Sequence, residues 1–321
     1  MAKSLVQSKT PTVISHTYDL KQPDYVGVEG KNVRYIDLTS KLSNYLGRNI
    51  LQGNSVRVTG MSISMEPDPE QWESMNSFAG GALTGYISYV QPTKYRVNAW
   101  NQLFKVWREQ QLERPGLAFQ NTPNEFAIFY DPEHAEMRQA GDLSQSEAPI
   151  NYCGGSVRGL QEWPSDGEHA HVGLLGGHDE AGMFGGTDNY YGVLYSYNLS
   201  HPTEMNAQAS GVDLDTAISG FFNKFDQHDL TGHYDDEDNM HGTARIPFQV
   251  AFWNDTGGSN DAPVVQGWQL NLSGNQALNV MCGLQKIVIT GFSPDDTFFS
   301  LADKMKLRVT WHVEGWKNLK R

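Results

Sequence analysis

Leu307-Arg308-Val309-Thr310-Trp311-His312-Val313-Glu314 alternates apolar and polar residues without a break. A period of two puts Leu307, Val309, Trp311 and Val313 on one face of a strand and the polar residues on the other. Such a strand belongs in an antiparallel sheet with one face against a core and the other wetter. The same signature recurs elsewhere. Val56 and Val58 alternate, Gly60 marks an expected bulge, and Met61, Ile63 and Met65 resume the pattern. Phe248, Val250 and Phe252 share a face of the run 246–253, and further strands are expected over 33–38, 86–90, 126–130, 191–199, 264–272, 284–290 and 305–314. The predicted class is all-β and antiparallel.

One segment is different in kind. Between Lys94 and Leu112, Val97, Trp100, Phe104, Trp107 and Gln111 follow three- and four-residue steps, with Leu103 widening the stripe, and Pro115-Gly116 stops it. This predicts one long helix over 94–112 whose tryptophans seal a sheet rather than bind a ligand. Shorter helices are expected over 39–49 and 214–225.

The chain has 321 residues, 39% of them hydrophobic, and its 32 glycines are scattered between strand-like runs, as a folded protein with many turns requires. Residues 1–30 read as an extended lead-in, 31–165 as a first β-sandwich carrying the helix, and 166–321 as a second. The dividing region is 131–190, where periodicity gives way to glycine and acid.

The formal charge is −13, and residues 1–10 contribute only Lys3 and Lys9 as cations. Proteins that coat nucleic acid neutralise phosphates with Lys and Arg, so direct genome binding is not expected. No apolar core follows Lys3, which argues against a secretory leader, and no apolar run approaches the ~20 residues of a membrane span. Synthesis in a cytoplasm is expected. Cys153 and Cys282 are too few for a disulfide framework; free buried thiols are favoured over a bridge.

Few residues suggest chemistry. The stretch 226–241 gathers Asp226, Asp229, Asp235, Asp236, Glu237 and Asp238 with His228, His233 and His241. Its spacing matches neither an EF-hand nor HExxH, so a solvated acidic loop is expected. If it binds a metal, a structural Ca²⁺ between subunits on the six carboxylates is the first choice. Glu168-His169-Ala170-His171 resembles the opening of a cupin metal motif, but Val172 to Gly177 lacks the acid that motif needs. The glycine pairs lack phosphate-loop spacing, and no nucleophile elbow occurs. No catalytic residue and no cofactor is assigned. Tyr190, Tyr191, Tyr195 and Tyr197 suit cross-strand pairing more than sugar stacking.

One ordering of segments carries a resemblance. Tyr35-Ile36-Asp37-Leu38 and Leu42-Ser43 precede Arg48, Gln52-Gly53 and the strand 56–65; Asn98-Ala99-Trp100, Phe104-Lys105-Val106-Trp107 and Gln110-Gln111 follow. This resembles the N-terminal portion of major capsid proteins of small single-stranded DNA viruses, especially FLiP-type phages and their metagenomic relatives, over about residues 33–112. The resemblance implies a jelly-roll β-sandwich, with a double jelly roll favoured, although one roll also fits the strand count. It implies trimeric capsomers in an icosahedral virion shell, contacts with other virion proteins and an internal lipid membrane beneath the capsid. The competing readings are a carbohydrate-binding β-sandwich, such as a phage spike or lectin, and a metal-dependent β-barrel enzyme using His169, His171 or the 226–241 cluster.

Overall fold

The structure, a computed structural model, describes residues 8–19, 32–48, 50, 52–67, 80–113, 128–134, 170–176, 178–179, 189–194, 243–253, 264–272, 276–293 and 305–319. Strands β1 (Ser8–Asp19) and β2 (Asn32–Asp37) precede helix α1 (Leu38–Leu46), β3 (Asn54–Pro67), β4 (Gly80–Tyr89) and helix α2 (Lys94–Glu113). Short strands β5 (Ala170–Gly173), β6 (His178–Asp179) and β7 (Asn189–Gly192) follow. The chain then forms β8 (Ala244–Trp253), β9 (Val264–Gln266), β10 (Trp268–Asn271), β11 (Leu278–Val280), β12 (Leu284–Ser293) and β13 (Met305–Asn318).

Two five-stranded antiparallel sheets dominate. The first runs β1-β13-β3-β10, with β11 also on β3; the second runs β2-β12-β4-β8-β9. The run that opened the sequence reading is β13, at the centre of the first sheet between β1 and β3. Its alternation is the packing pattern: Leu307, Val309, Trp311 and Val313 are buried, while Arg308 and His312 are exposed. Across the sandwich they meet Ile36, Leu83, Ile87, Phe248, Val250 and Ile287 from the second sheet. Beside β13, the register of β3 slips at Thr59, next to Gly60, and Met61, Ile63 and Met65 take up the inward positions beyond it. That is the bulge expected from Gly60.

The two sheets are stitched at one side by a strand that changes sheet. β9 pairs with β8 and β10 pairs with β3, with only Gly267 between them. A Cβ at Gly267 would stand 3.0 Å from the Ile63 carbonyl oxygen, so a side chain at the bend would press on the β3 backbone. Inside the sandwich, the Trp311 indole Nε1–H donates to Gln285 Oε1 at 2.8 Å, a buried polar bond joining the central strands of opposite sheets.

Along β2, β12 and the end of β4 the second sheet is covered on its other face as well. Val33, Leu284, Val288 and Val90 pack there against Ala99, Trp100 and Leu103 of α2, and against Ile128, Phe129, Leu174, Leu175, Val193 and Leu194. The expected helix is thus present, with Trp100 fully buried and stacked on Phe104 at 5.3 Å between centroids. Its side chains from Val106 onward, Trp107 included, lie outside the described ones. The expected helix over 39–49 is α1, which starts one residue earlier and stops three earlier, capped by Asp37 and ended by Gly47 at φ 60°. The small sheet β5-β7-β6 belongs to the same covering layer as Val172 and Leu174.

Three expectations are corrected. The division into sandwiches 31–165 and 166–321 fails, because β12 lies between β2 and β4, β13 pairs with β3, and β8 pairs with β4. Similar strand density before and after the middle arises because both halves feed the same two sheets. The strand expected over 191–199 stops at Gly192, and Val193 and Leu194 turn helical. Of the strand expected over 126–130, residues 128–130 are described, and among these Phe129 makes a parallel bridge to Gly173 instead of a strand. The helix expected over 214–225 lies outside the described residues. Among the described residues no helix is long and apolar enough to cross a membrane.

Replacing Trp311 by Phe leaves Gln285 Oε1 buried without its donor, at a cost of about 1–3 kcal/mol plus the lost packing. Because Gln285 Nε2 finds no partner among the described residues, adding Gln285→Leu should recover part of that loss. Urea unfolding of the two single variants and the double variant measures the coupling, which should be clearly favourable to the double.

Candidate functional site

A row of polar side chains crosses the outer face of the second sheet. Lys286 on β12 stands in register with Tyr35 on β2 and with Ser88 on β4, and Arg245 on β8 stands beside Ser88. Arg245 stands at the exposed edge of the row, over the Tyr86 ring, but Tyr35, Lys286 and Ser88 lie where the face is apolar and covered, so each of these three needs a partner from the covering layer. The segment 128–134 supplies them.

Within that segment Asp131-Pro132-Glu133-His134 forms a short helical turn. Asp131 caps it by accepting the His134 backbone N–H at 2.9 Å on Oδ1, and Pro132 occupies the first helical position, where no N–H is needed. The cap aims both carboxylates at the sheet. Lys286 Nζ lies 2.7 Å from Asp131 Oδ2 and 2.6 Å from Glu133 Oε2. The Tyr35 hydroxyl donates to Asp131 Oδ1 at 2.6 Å and stands 3.2 Å from Glu133 Oε2. Ser88 Oγ and the Tyr130 hydroxyl share a hydrogen bond of 2.8 Å.

Aromatic rings close around the group. The His134 imidazole stacks on the Tyr35 ring at 4.3 Å with an interplanar angle of 7°, and Phe129 meets it edge-on. His134 Nδ1 accepts the Tyr130 backbone N–H at 3.1 Å, which assigns the neutral ring's proton to Nε2. The Lys286 side chain keeps 18% exposure and that of Asp131 13%, so water reaches only the rim.

The electrostatics follow from this enclosure. Burial raises the Tyr35 phenol well above its ordinary value, and the carboxylates of Asp131 and Glu133 raise it further. Burial raises Tyr130 in the same way, against the opposing pull of its bond to Ser88. For Lys286, burial pulls downward, but the two adjacent carboxylates outweigh it and the net direction is up. The resting group is therefore an ammonium held between two carboxylates, with two neutral phenols around it.

A second polar chain ties the start of the same segment to α1. Asp37 caps α1 through Thr39 and Ser40, and its Oδ2 accepts Gln52 Nε2 at 3.1 Å. Gln52 Oε1 in turn accepts the Ile128 backbone N–H at 2.7 Å. Burial raises the Asp37 carboxyl above its ordinary value, and the hydrogen bonds it accepts oppose that shift. The covering layer is thus fastened to β2, β4, β12 and α1 by polar bonds as well as by apolar packing.

The residues singled out from sequence fall elsewhere. Asp226, Asp229, Asp235, Asp236, Glu237 and Asp238 lie outside the described residues, as do His169 and Cys153. His171 belongs to β5, and Tyr190 and Tyr191 to β7, but their side chains are outside the described ones. Cys282 is a buried free thiol. Among the described residues no group of three His, Cys, Asp or Glu side chains is placed to hold a metal ion. Sequence reasoning missed Tyr35, Asp131, Glu133 and Lys286. The available signals were a lysine inside the apolar run Leu284–Ile289 and an Asp-Pro-Glu turn directly after Phe129-Tyr130. No protein-family model, curated protein or solved structure matches the chain.

Tyr35 and Tyr130 hold their protons at pH values where an unfolded chain loses them, so folding stability should fall as the pH rises above 10.0, their ordinary value. Alkaline titration of the folded protein by phenolate absorbance should leave these two tyrosines silent until unfolding. A Tyr35→Phe variant should flatten the decline of stability with pH by up to one proton.

Proposed function

We propose that this chain is a virion structural protein, a major capsid protein built on a single jelly roll. The observation that carries the reading is the order of strands. Counting along the chain, β1, β2, β3, β4, β8, the β10–β11 pair, β12 and β13 occupy the successive positions of the roll. The first sheet then reads first, eighth, third, sixth, and the second reads second, seventh, fourth, fifth. That order supports the double-sheet Greek-key wrapping of a jelly roll, an architecture shared by viral capsid proteins, lectins and cupins. One roll, in place of the two expected, accommodates strands from both halves of the sequence. Helix α2, the segment 128–134 and the small sheet form an insertion between the fourth and fifth roll strands.

Fold alone does not choose among the functions of jelly rolls. The capsid reading draws on the sequence resemblance over 33–112, which spans β2 through most of α2, and on the charge of −13. An acidic subunit suits a shell that encloses a membrane and leaves genome packing to other components. The polar fastening of the insertion suits a subunit that must present stiff lateral surfaces to identical copies. In this reading the activity is self-assembly through trimeric capsomers into an icosahedral shell, with other virion proteins and a lipid bilayer as neighbours.

Size-exclusion chromatography with light scattering, followed by electron microscopy, tests the proposal on the purified chain. Trimers or closed shells at micromolar concentration are expected. A monomer that assembles into nothing larger, or one that binds a glycan array tightly, would overturn it.

A further inference from the structure

The Lys286 group contains more than an ion pair requires. Asp131 presents one oxygen to the lysine and the other to two donors: Oδ2 is 2.7 Å from Nζ, while Oδ1 accepts both the Tyr35 hydroxyl at 2.6 Å and the His134 backbone N–H at 2.9 Å. Glu133, a second carboxylate, touches the same Nζ at 2.6 Å through Oε2. An amine, an acyl carbon one bond from the atom it contacts, two donors on the opposite oxygen and a proton acceptor on the amine are the parts of an acyl-transfer site.

We propose that Lys286 and Asp131 condense into an intramolecular isopeptide bond, with Glu133 as the proton carrier and Tyr35 with the His134 N–H as the oxyanion donors. Nζ passes a proton to Glu133 and attacks Cγ of Asp131. The C–N bond forms as the carbonyl electron pair moves onto Oδ1, where the two donors hold the developing charge. Glu133 returns the proton to Oδ2, a second proton follows the same route, and the C–Oδ2 bond breaks with loss of water. Ammonium plus carboxylate becomes amide plus water, Glu133 ends as it began, and no other reactant is consumed.

Several features of the site favour the step. Both reacting groups are pre-positioned, Lys286 by its place on β12 and Asp131 by its cap bond to the His134 N–H and its bond from Tyr35, which lowers the entropic cost of bringing them together. The torsion about the Asp131 Cβ–Cγ bond is of the broad sp³–sp² kind, so the carboxyl can turn its face to Nζ at little cost. The stacked His134 and Tyr35 rings enclose the pair, and the Lys286 ammonium stands 5.4 Å from the Tyr35 ring centroid. The product would join β12 covalently to the turn after α2, at the point where the insertion already docks. This inference goes beyond the capsid reading and does not depend on it.

Intact-mass measurement of the purified full-length chain decides the matter. The expected mass is that of the sequence less one water, with tandem mass spectrometry finding the Asp131 peptide joined to the Lys286 peptide. Glu133→Gln, checked for native circular dichroism, should return to the full sequence mass. A wild-type chain at full mass, or a water lost within a single peptide as in a dehydrated aspartate, would overturn the proposal. So would a Glu133→Gln chain that cross-links as completely as the wild type.

Discussion

Along β2, β12 and the end of β4 the second sheet is buried on both faces, and that constraint organises the rest of the molecule. There a polar side chain left unpaired is costly, because neither face offers enough water to compensate. On the inner face Gln285 bonds to Trp311 across the sandwich, and the buried Arg34 donates to the Val33 carbonyl. On the outer face Tyr35, Lys286 and Ser88 form a row, each matched by a group from the segment 128–134. The sheet therefore positions the insertion as firmly as the insertion covers the sheet.

Apolar packing and polar matching contribute differently to this arrangement. Trp100, Phe129 and Leu174 supply the burial that drives the layer onto the sheet, a force without direction. The hydrogen bonds and ion pairs supply register: moving the turn 131–134 by one residue would strand Lys286 among apolar groups. Removing one member of such a group costs more than forming the whole group gains, so its main effect is to reject alternative dockings. The first sheet's outer face shows the contrast. Its pair Arg308–Glu66 is well formed, but it stands at the surface, where water and salt weaken it.

As a building block, a sandwich with a third layer bonded to it is thick and stiff on one side and polar on the other. In the proposed shell, the thick side is the one that long insertions can decorate without disturbing the roll, since the sheets close without them. A covalent link at Lys286 would make the attachment of that layer independent of solution conditions, as a shell exposed to changing surroundings requires.

Local sequence determined the elements whose side chains sort by period. The strands β3, β8 and β13 have one wet and one dry face, so alternation exposed them, and the bulge beside Gly60 was legible as a phase change in the same pattern. Helix α2 was legible from its three- and four-residue steps. The strands β2 and β12 were harder to bound, since burial on both faces erases alternation. Which strands pair was decided only by the tertiary structure. Pairing β13 with β3 closes a loop of more than two hundred residues, and nothing in either run names its partner. The site was hidden for the same reason: Tyr35, Asp131 and Lys286 are ordinary residues in sequence. They meet only because the second sheet pairs β2 with β12 and the segment 128–134 docks on that pair, bringing residues far apart along the chain to one buried row.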